Sequence, residues 1–172
     1  MAKGTNIMEF IGKTWKFGDN INTDLILPGR AQLFTEEEQL RCVFEANRPG
    51  WINEVAEGDI LVGGQNFGMG SSRPAARSLR NTGLACMVAD SINGLFYRNC
   101  VNWGFLALEC DGVSNAFEEG DQASVSFKDF TVKNLRTNSV LQARGIPNVL
   151  LNTMTAGGVL PLLESEGLIA PK

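Results

Sequence analysis

The sequence predicts an α/β fold with a parallel core sheet and an added antiparallel layer. Two observations carry that expectation. Between residues 59 and 110, short apolar runs alternate with helix-like stretches in the order strand, helix, strand, helix, strand. Such alternation argues for right-handed crossovers between parallel strands. Beyond residue 120 the pattern changes to apolar and polar residues in turn, as in antiparallel strands with one wet face. The 172 residues are enough for one domain with a real core, so a single unit over 1–172 is expected.

KTWKFG (13–18) reads as the first strand. GDNINTDLILPGR (18–30) is dense in Asn, Asp and Gly before an apolar run that stops at Pro28–Gly29, and so predicts a loop feeding a short strand. TEEEQLRCVFEAN (35–47) predicts a helix. Thr35 and Glu38 form a capping box, Glu36 and Glu37 suit the positive end of the dipole, and Leu40, Val43 and Phe44 make the apolar stripe. DILVGG (59–64) is a strand, PAARSLRNTG (74–83) a helix with Pro74 in its first turn and Gly83 at its stop. LACMVAD (84–90) is a strand, NGLFYRNCVNWG (93–104) a helix and FLALEC (105–110) a strand. Their nearly unbroken apolar character suits strands covered on both faces. DQASVSFKDFTVKN (121–134) predicts a hairpin turning at Lys128–Asp129, and residues 148–167 predict helical segments broken at Gly157–Gly158.

Composition narrows the function. Hydrophobic residues make up 44% and charged residues 20% of the chain, ordinary values for a globular protein. The net charge of −4 and pI of about 4.9 argue against a nucleic-acid surface, which needs clustered Lys and Arg. The beginning MAKGTNIMEF lacks an apolar signal core, and no apolar stretch is long enough to span a bilayer, so a cytoplasmic protein without membrane contact is expected. Four cysteines, Cys42, Cys86, Cys100 and Cys110, show no paired spacing, and histidine is absent. No metal site is expected in this chain, and the commonest general base is missing.

The densest chemistry lies in GGQNFGMGSSR (63–73), which carries four glycines and ends in Ser71, Ser72 and Arg73. It follows a predicted strand and opens a predicted helix, where unpaired N–H groups attract anions. Gly68 and Gly70 would let the backbone approach a ligand or take positive φ. The serines could cap the helix or bond a ligand, and Arg73 could clamp a carboxylate or phosphate. Two nucleotide motifs fail at defined positions: Met69 stands where a P-loop needs lysine, and Arg73 where GxGxxG needs its third glycine. The plain alternative is a capped, glycine-rich turn with an exposed arginine.

The same stretch, followed by LACMVADSINGLFYRNCVNWG, resembles the small subunit of the isopropylmalate dehydratase and homoaconitase family, and is similar to the mobile C-terminal domain of aconitase. NTDLILPGR resembles that family's second hallmark. The resemblance runs from about residue 13 to about residue 165. It implies a swivelling β/β/α domain and a large partner subunit that carries a [4Fe–4S] cluster. The implied reaction is hydro-lyase chemistry on a 2-hydroxy dicarboxylic acid, foremost the isomerisation of 3-isopropylmalate and 2-isopropylmalate in leucine biosynthesis. Relatives acting on 2,3-dimethylmalate, 2-methylmalate (citramalate) or maleate would use the same machinery. Carried over by motif, Ser71 is the catalytic base, Asp24 an active-site carboxylate, and Ser72 and Arg73 bind substrate. Gly68 and Gly70 belong to the anion-holding loop. Arg30 is the nearest candidate for a second carboxylate partner, and Leu33 and Phe34 suit an apolar third substituent.

This sequence departs from the family at Pro74 and Ala75, where the family has glutamate followed by histidine or glutamine, and at Met69, where it has cysteine. A glutamate after the arginine could hold its guanidinium, so Arg73 must be supported differently. The structural alternatives are a turn-capping role for Asp24 and a core role for Leu33 and Phe34. Tyr97, Arg98 and Asn99 read as structural residues of a helix. A non-catalytic anion- or RNA-binding module is the competing class, and the acidic composition opposes its RNA form.

Overall fold

A computed structural model of the chain describes residues 8–71 and 74–171. Among these, seven strands form a mixed sheet: β1 (Glu9–Lys16), β2 (Ile60–Gly63), β3 (Cys86–Ala89), β4 (Ala107–Glu109), β5 (Gln122–Ser126), β6 (Thr131–Asn134) and β7 (Val140–Gln142). They lie in the order β4-β3-β2-β1-β5-β6-β7. The first four run parallel, whereas β1–β5, β5–β6 and β6–β7 are antiparallel pairs. β1 is therefore the seam between the parallel half and the antiparallel half. The helices are α1 (Thr23–Ile26), α2 (Glu36–Arg41), α3 (Pro74–Asn81), α4 (Gly94–Trp103), α5 (Val113–Ala116), α6 (Asn148–Thr155) and α7 (Val159–Ser165). None of the helices described is long and apolar enough to cross a membrane.

The period of two along a strand separates two cores. In register, Trp15, Leu61, Met87 and Ala107 lie side by side across β1 to β4 and face one apolar cluster. α3 and α4 cover that face with Ala75, Ala76, Leu79, Phe96 and Cys100. The intervening residues Val62, Val88 and Leu108 face the other cluster, which takes in Val113 of α5, Leu151 and Met154 of α6, and the inner residues of β5 and β6. Both faces of β2 and β3 are thus covered, which is why every residue of the two strands is buried. In β5, Ala123 and Val125 are buried, whereas Gln122 is exposed and Ser124 and Ser126 are only partly covered. That explains its alternating sequence.

Four aromatic rings tie β1 to the segment before β2. Trp51 packs edge-on to Trp15, Phe17 and Phe44, and Phe17 stacks on Phe44 with ring centroids 4.1 Å apart. Trp15 Nε1 donates to the buried carboxylate of Asp59 at 2.7 Å, so the indole keeps a partner inside the core. Two elements differ from the sequence expectation. Residues 23–26 form α1 rather than a short strand, because the Asn22 side chain accepts from Leu25 N–H at 2.8 Å and caps a helical turn. The helix over 35–47 is cut to Glu36–Arg41. Residues 42–47 continue as turns, and buried Phe44 takes a positive φ of 56° while its N–H donates to Ile26 O. The capping box of Thr35 and Glu38 is present as read.

Asp121 anchors the antiparallel half. Its carboxylate accepts from Arg136 Nε at 2.5 Å, from Asn134 Nδ2 at 2.7 Å and from Glu118 N–H at 2.9 Å. The Arg136 guanidinium, ahead of the other donors, holds the carboxyl well below the usual aspartate range. A depressed carboxyl stabilises the fold above its unfolded pKa and loses that contribution as pH falls through the folded value. Asp121→Ala is expected to cost about 2 kcal/mol at neutral pH, since it removes hydrogen bonds to a charged group. Urea midpoints should show a constant gap to wild type from neutrality down to mild acid. Below about pH 4, the unfolded carboxyl value, the gap should shrink.

Candidate active site

Because β1 to β4 run parallel, their carboxyl ends share one edge of the sheet. Ligands of open α/β sheets bind beyond that edge. Three segments leave it side by side, after β1, after β2 and after β3. Asn20 N–H donates to Gln65 O at 2.8 Å, Gly68 N–H to Ile21 O at 2.7 Å and Thr23 N–H to Met69 O at 2.7 Å. On the far side of the loop, Phe67 N–H donates to Ser91 O at 3.0 Å, and Asn93 N–H to Phe67 O at 2.8 Å. The glycine-rich loop is therefore held along both flanks by main-chain bonds.

Side chains complete this weave. Asp19 accepts from Gln65 N–H at 2.7 Å, and Ser91 Oγ accepts from Asn66 N–H at 2.7 Å while donating to Gln65 Oε1. Asn20 and Asn66 each take a left-handed φ of 54°, and Asn66 Nδ2 donates to Asn20 Oδ1 at 3.2 Å. Asparagine tolerates that conformation better than most residues.

Two of the loop glycines are dictated by space as well as by φ. Gly68 has φ +80°, and a Cβ there would lie 2.2 Å from Phe96 Cγ, a ring with no exposed surface. Gly70 has φ +107°, and its Cβ would lie 2.6 Å from Thr23 Oγ1. The glycines therefore let the loop lie directly on α4 and α1. Both take the positive φ expected of them, and the neighbours they admit in this chain are protein groups.

This packing brings Ser71 and Asp24 to one place. Ser71 follows Gly70, Asp24 follows Thr23, and Gly70 and Thr23 are in contact. Both Ser71 and Asp24 are exposed. The turn-capping role considered for Asp24 belongs instead to Asn22. Ser72 and Arg73 lie outside the described residues. Leu33 is 93% exposed and Phe34 37% exposed, so neither is a core residue. Both sit at the end of the 3₁₀ segment Gly29–Leu33. Arg30, in the same segment, pairs with Glu45 and lies over the Phe34 ring at 5.7 Å. Its guanidinium is thus engaged within the chain.

Sequence reasoning missed Asn22 and Gln39. The signal for Asn22 was its place just before a Thr-Asp-Leu turn. Gln39 carried none, since a glutamine that follows three glutamates reads as solvent-facing. Yet Gln39 is 2% exposed.

The cysteines do not form a donor set. Cys42 and Cys100 belong to one core, Cys86 and Cys110 to the other. Burial pushes all four thiols up, Cys110 to about 11, so each stays protonated at neutral pH. Among the described residues, no three Cys, Asp or Glu side chains are grouped to hold a metal. The thiols of this chain do not suit an iron–sulfur cluster.

The loop's packing makes a direct prediction. Gly68→Ala forces a methyl against Phe96 and a left-handed alanine, at a cost of about 2–4 kcal/mol. Gly94→Ala, in the first turn of α4 where a Cβ meets nothing within 4 Å, should leave stability within about 1 kcal/mol of wild type or slightly raised. Thermal unfolding of the two variants checks the contrast.

Known proteins resemble this chain in sequence and in fold. The aconitase C-terminal domain family model matches residues 19–112, a span that contains all three segments of the site. The isopropylmalate/citramalate isomerase small subunit of Methanocaldococcus jannaschii is 40% identical over 157 residues, covering 90% of this chain and 94% of that protein. The 3-isopropylmalate dehydratase small subunit 1 of Methanopyrus kandleri is 40% identical over 158 residues, covering 91% and 93%. A crystal structure of 3-isopropylmalate dehydratase from Methanocaldococcus jannaschii matches the fold with a TM-score of 0.87 at 26% identity, covering 94% of this chain and 96% of that one. With the family model matched across the site and relatives aligned over nine-tenths of its length, this chain belongs to the aconitase C-terminal domain family.

Proposed function

We propose that this chain is the small subunit of a two-subunit hydro-lyase that interconverts 3-isopropylmalate and 2-isopropylmalate in leucine biosynthesis, in the cytoplasm. The observation that supports it is that exposed Ser71, on the glycine-rich loop, and exposed Asp24, in α1, each follow one of two touching residues, Gly70 and Thr23, beyond the carboxyl ends of the parallel strands. The small-subunit names of relatives at 36–40% identity support the same role. The large subunit would carry the [4Fe–4S] cluster, in keeping with the dispersed, buried thiols of this chain.

In this reading Ser71, as the alkoxide, takes the proton from the carbon beside a substrate carboxylate. A serine oxygen is a weak base at its free pKa and needs local stabilisation of its charge. The start of α3 would supply N–H donors and the positive end of a helix dipole. Because Pro74 has no N–H, those donors begin at Ala75. Arg73 pairs with a substrate carboxylate and Ser72 hydrogen-bonds the substrate or the loop. Asp24 orients the substrate side of the site. Gly68 and Gly70 hold the loop in the shape that presents Ser71. Leu33 and Phe34 receive the apolar third substituent. Arg30 is the weakest member of the set, because Glu45 already holds it. With Arg30 so occupied, a third substrate carboxylate lacks a partner, which favours an isopropyl group over the acid arm of citrate or homocitrate.

The test is anaerobic dehydration by this chain mixed with its large subunit, followed by alkene absorbance. Ser71→Ala should lower kcat by about a hundredfold or more, the usual worth of a general base, while the two chains still assemble. Turnover near wild type would remove Ser71 from the base role. Arg73→Lys should raise KM by about tenfold or more, because an ammonium cannot reproduce the bidentate fork. Unchanged kinetics would exclude Arg73 as the carboxylate clamp.

A further inference from the structure

Gln39 is the polar residue of α2 that faces inward, and it uses its whole amide. Its amide nitrogen, Nε2, donates to Ala31 O and to Phe34 O, each at 3.1 Å. Its Oε1 accepts from Arg77 Nη2 at 3.1 Å and, more weakly, from Ser78 Oγ at 3.4 Å. One arm therefore grips the segment that carries Leu33 and Phe34, and the other grips α3, the helix that the Ser71 loop opens. An amide is the group this position needs. A carboxylate could keep the α3 arm but could not donate to two carbonyls, and an apolar side chain would remove both donors, leaving Ala31 O with only the main-chain N–H of Phe34. Leu33 itself has little to hold it: it is almost fully exposed, and its segment is a short 3₁₀ turn.

We infer that Gln39 is a positioning residue for substrate choice: it sets the distance between the Leu33–Phe34 apolar contact and α3, which it holds at Arg77 and Ser78. Gln39 touches no substrate atom in this scheme. It acts through the main chain at Ala31 and Phe34, and the inference rests on the proposed hydro-lyase reading. Specificity for an apolar group depends on close contact, and a methylene-scale misfit is worth about tenfold or more in discrimination.

The experiment uses the assembled two-subunit enzyme with Gln39→Glu and Gln39→Met. The ratio of kcat/KM for 3-isopropylmalate over 2-methylmalate should fall about tenfold in both, while kcat for the smaller acid changes little. A purely structural role would lower both substrates together. Hydrogen-exchange mass spectrometry of the same assemblies should show faster exchange over residues 31–34 than in wild type, with α3 unchanged in Gln39→Glu. Faster exchange with an unchanged substrate ratio would overturn the specificity role. Unchanged exchange over 31–34 would overturn the positioning itself. An inactive wild-type assembly would overturn the hydro-lyase reading and the specificity role together, while exchange would still decide whether Gln39 holds the segment.

Discussion

The main-chain contact between residues 21–23 and 68–69 is the constraint on which the rest of the site depends. Gly68 N–H to Ile21 O and Thr23 N–H to Met69 O, both 2.7 Å, run between the turns that follow two neighbouring parallel strands. Backbones that close leave no room for side chains between them, so Gly70 has Thr23 where its Cβ would be. The same contact sets the start of α1, capped by Asn22, and the end of the loop that opens α3. Asp24 and Ser71 each follow a residue of this contact, so the stitched backbones place them on adjoining segments.

That contact in turn exists because β1 and β2 are parallel neighbours in register, with Trp15 opposite Leu61. Two strands that end together release their loops together. The aromatic group of Trp15, Phe17, Phe44 and Trp51 fixes β1 against the segment that precedes β2. The site therefore inherits its rigidity from a packed core beneath it, and loops placed on such a scaffold can carry exposed polar groups at defined positions.

Much of the fold was legible in the sequence because period and punctuation agree with the tertiary environment. β2, β3 and β4 read as apolar runs because both faces are covered, and the 121–134 hairpin reads as an alternation because one face is wet. Gly157 and Gly158, both with positive φ, break the closing helices where expected. What could not be read had tertiary causes. Leu25-Ile26-Leu27 looks like a strand by composition, yet the Asn22 cap and burial of Ile26 and Leu27 select a helical turn. The helix at 36–41 stops early because Phe44 must turn back into the aromatic group. Of the site, the Ser71 loop and the Asp24 segment were visible as motifs. The inward amide of Gln39 was not, because nothing in a local window shows that two distant carbonyls need a donor.

An exposed serine beside an exposed aspartate is not, by itself, a competent acid–base site. Water competes for both groups, screens their interactions and keeps the serine hydroxyl protonated. The chain also offers Leu33, 93% exposed, on the neighbouring segment, and it has no histidine to take up a proton. Each feature makes sense on a surface that is completed by a second one. When the edge is covered, water leaves, a leucine side chain gains a dry contact, and fixed N–H dipoles act at full strength. On the proposed reading the large subunit is that cover, and catalysis is confined to the assembly by the exposure of the very residues that perform it.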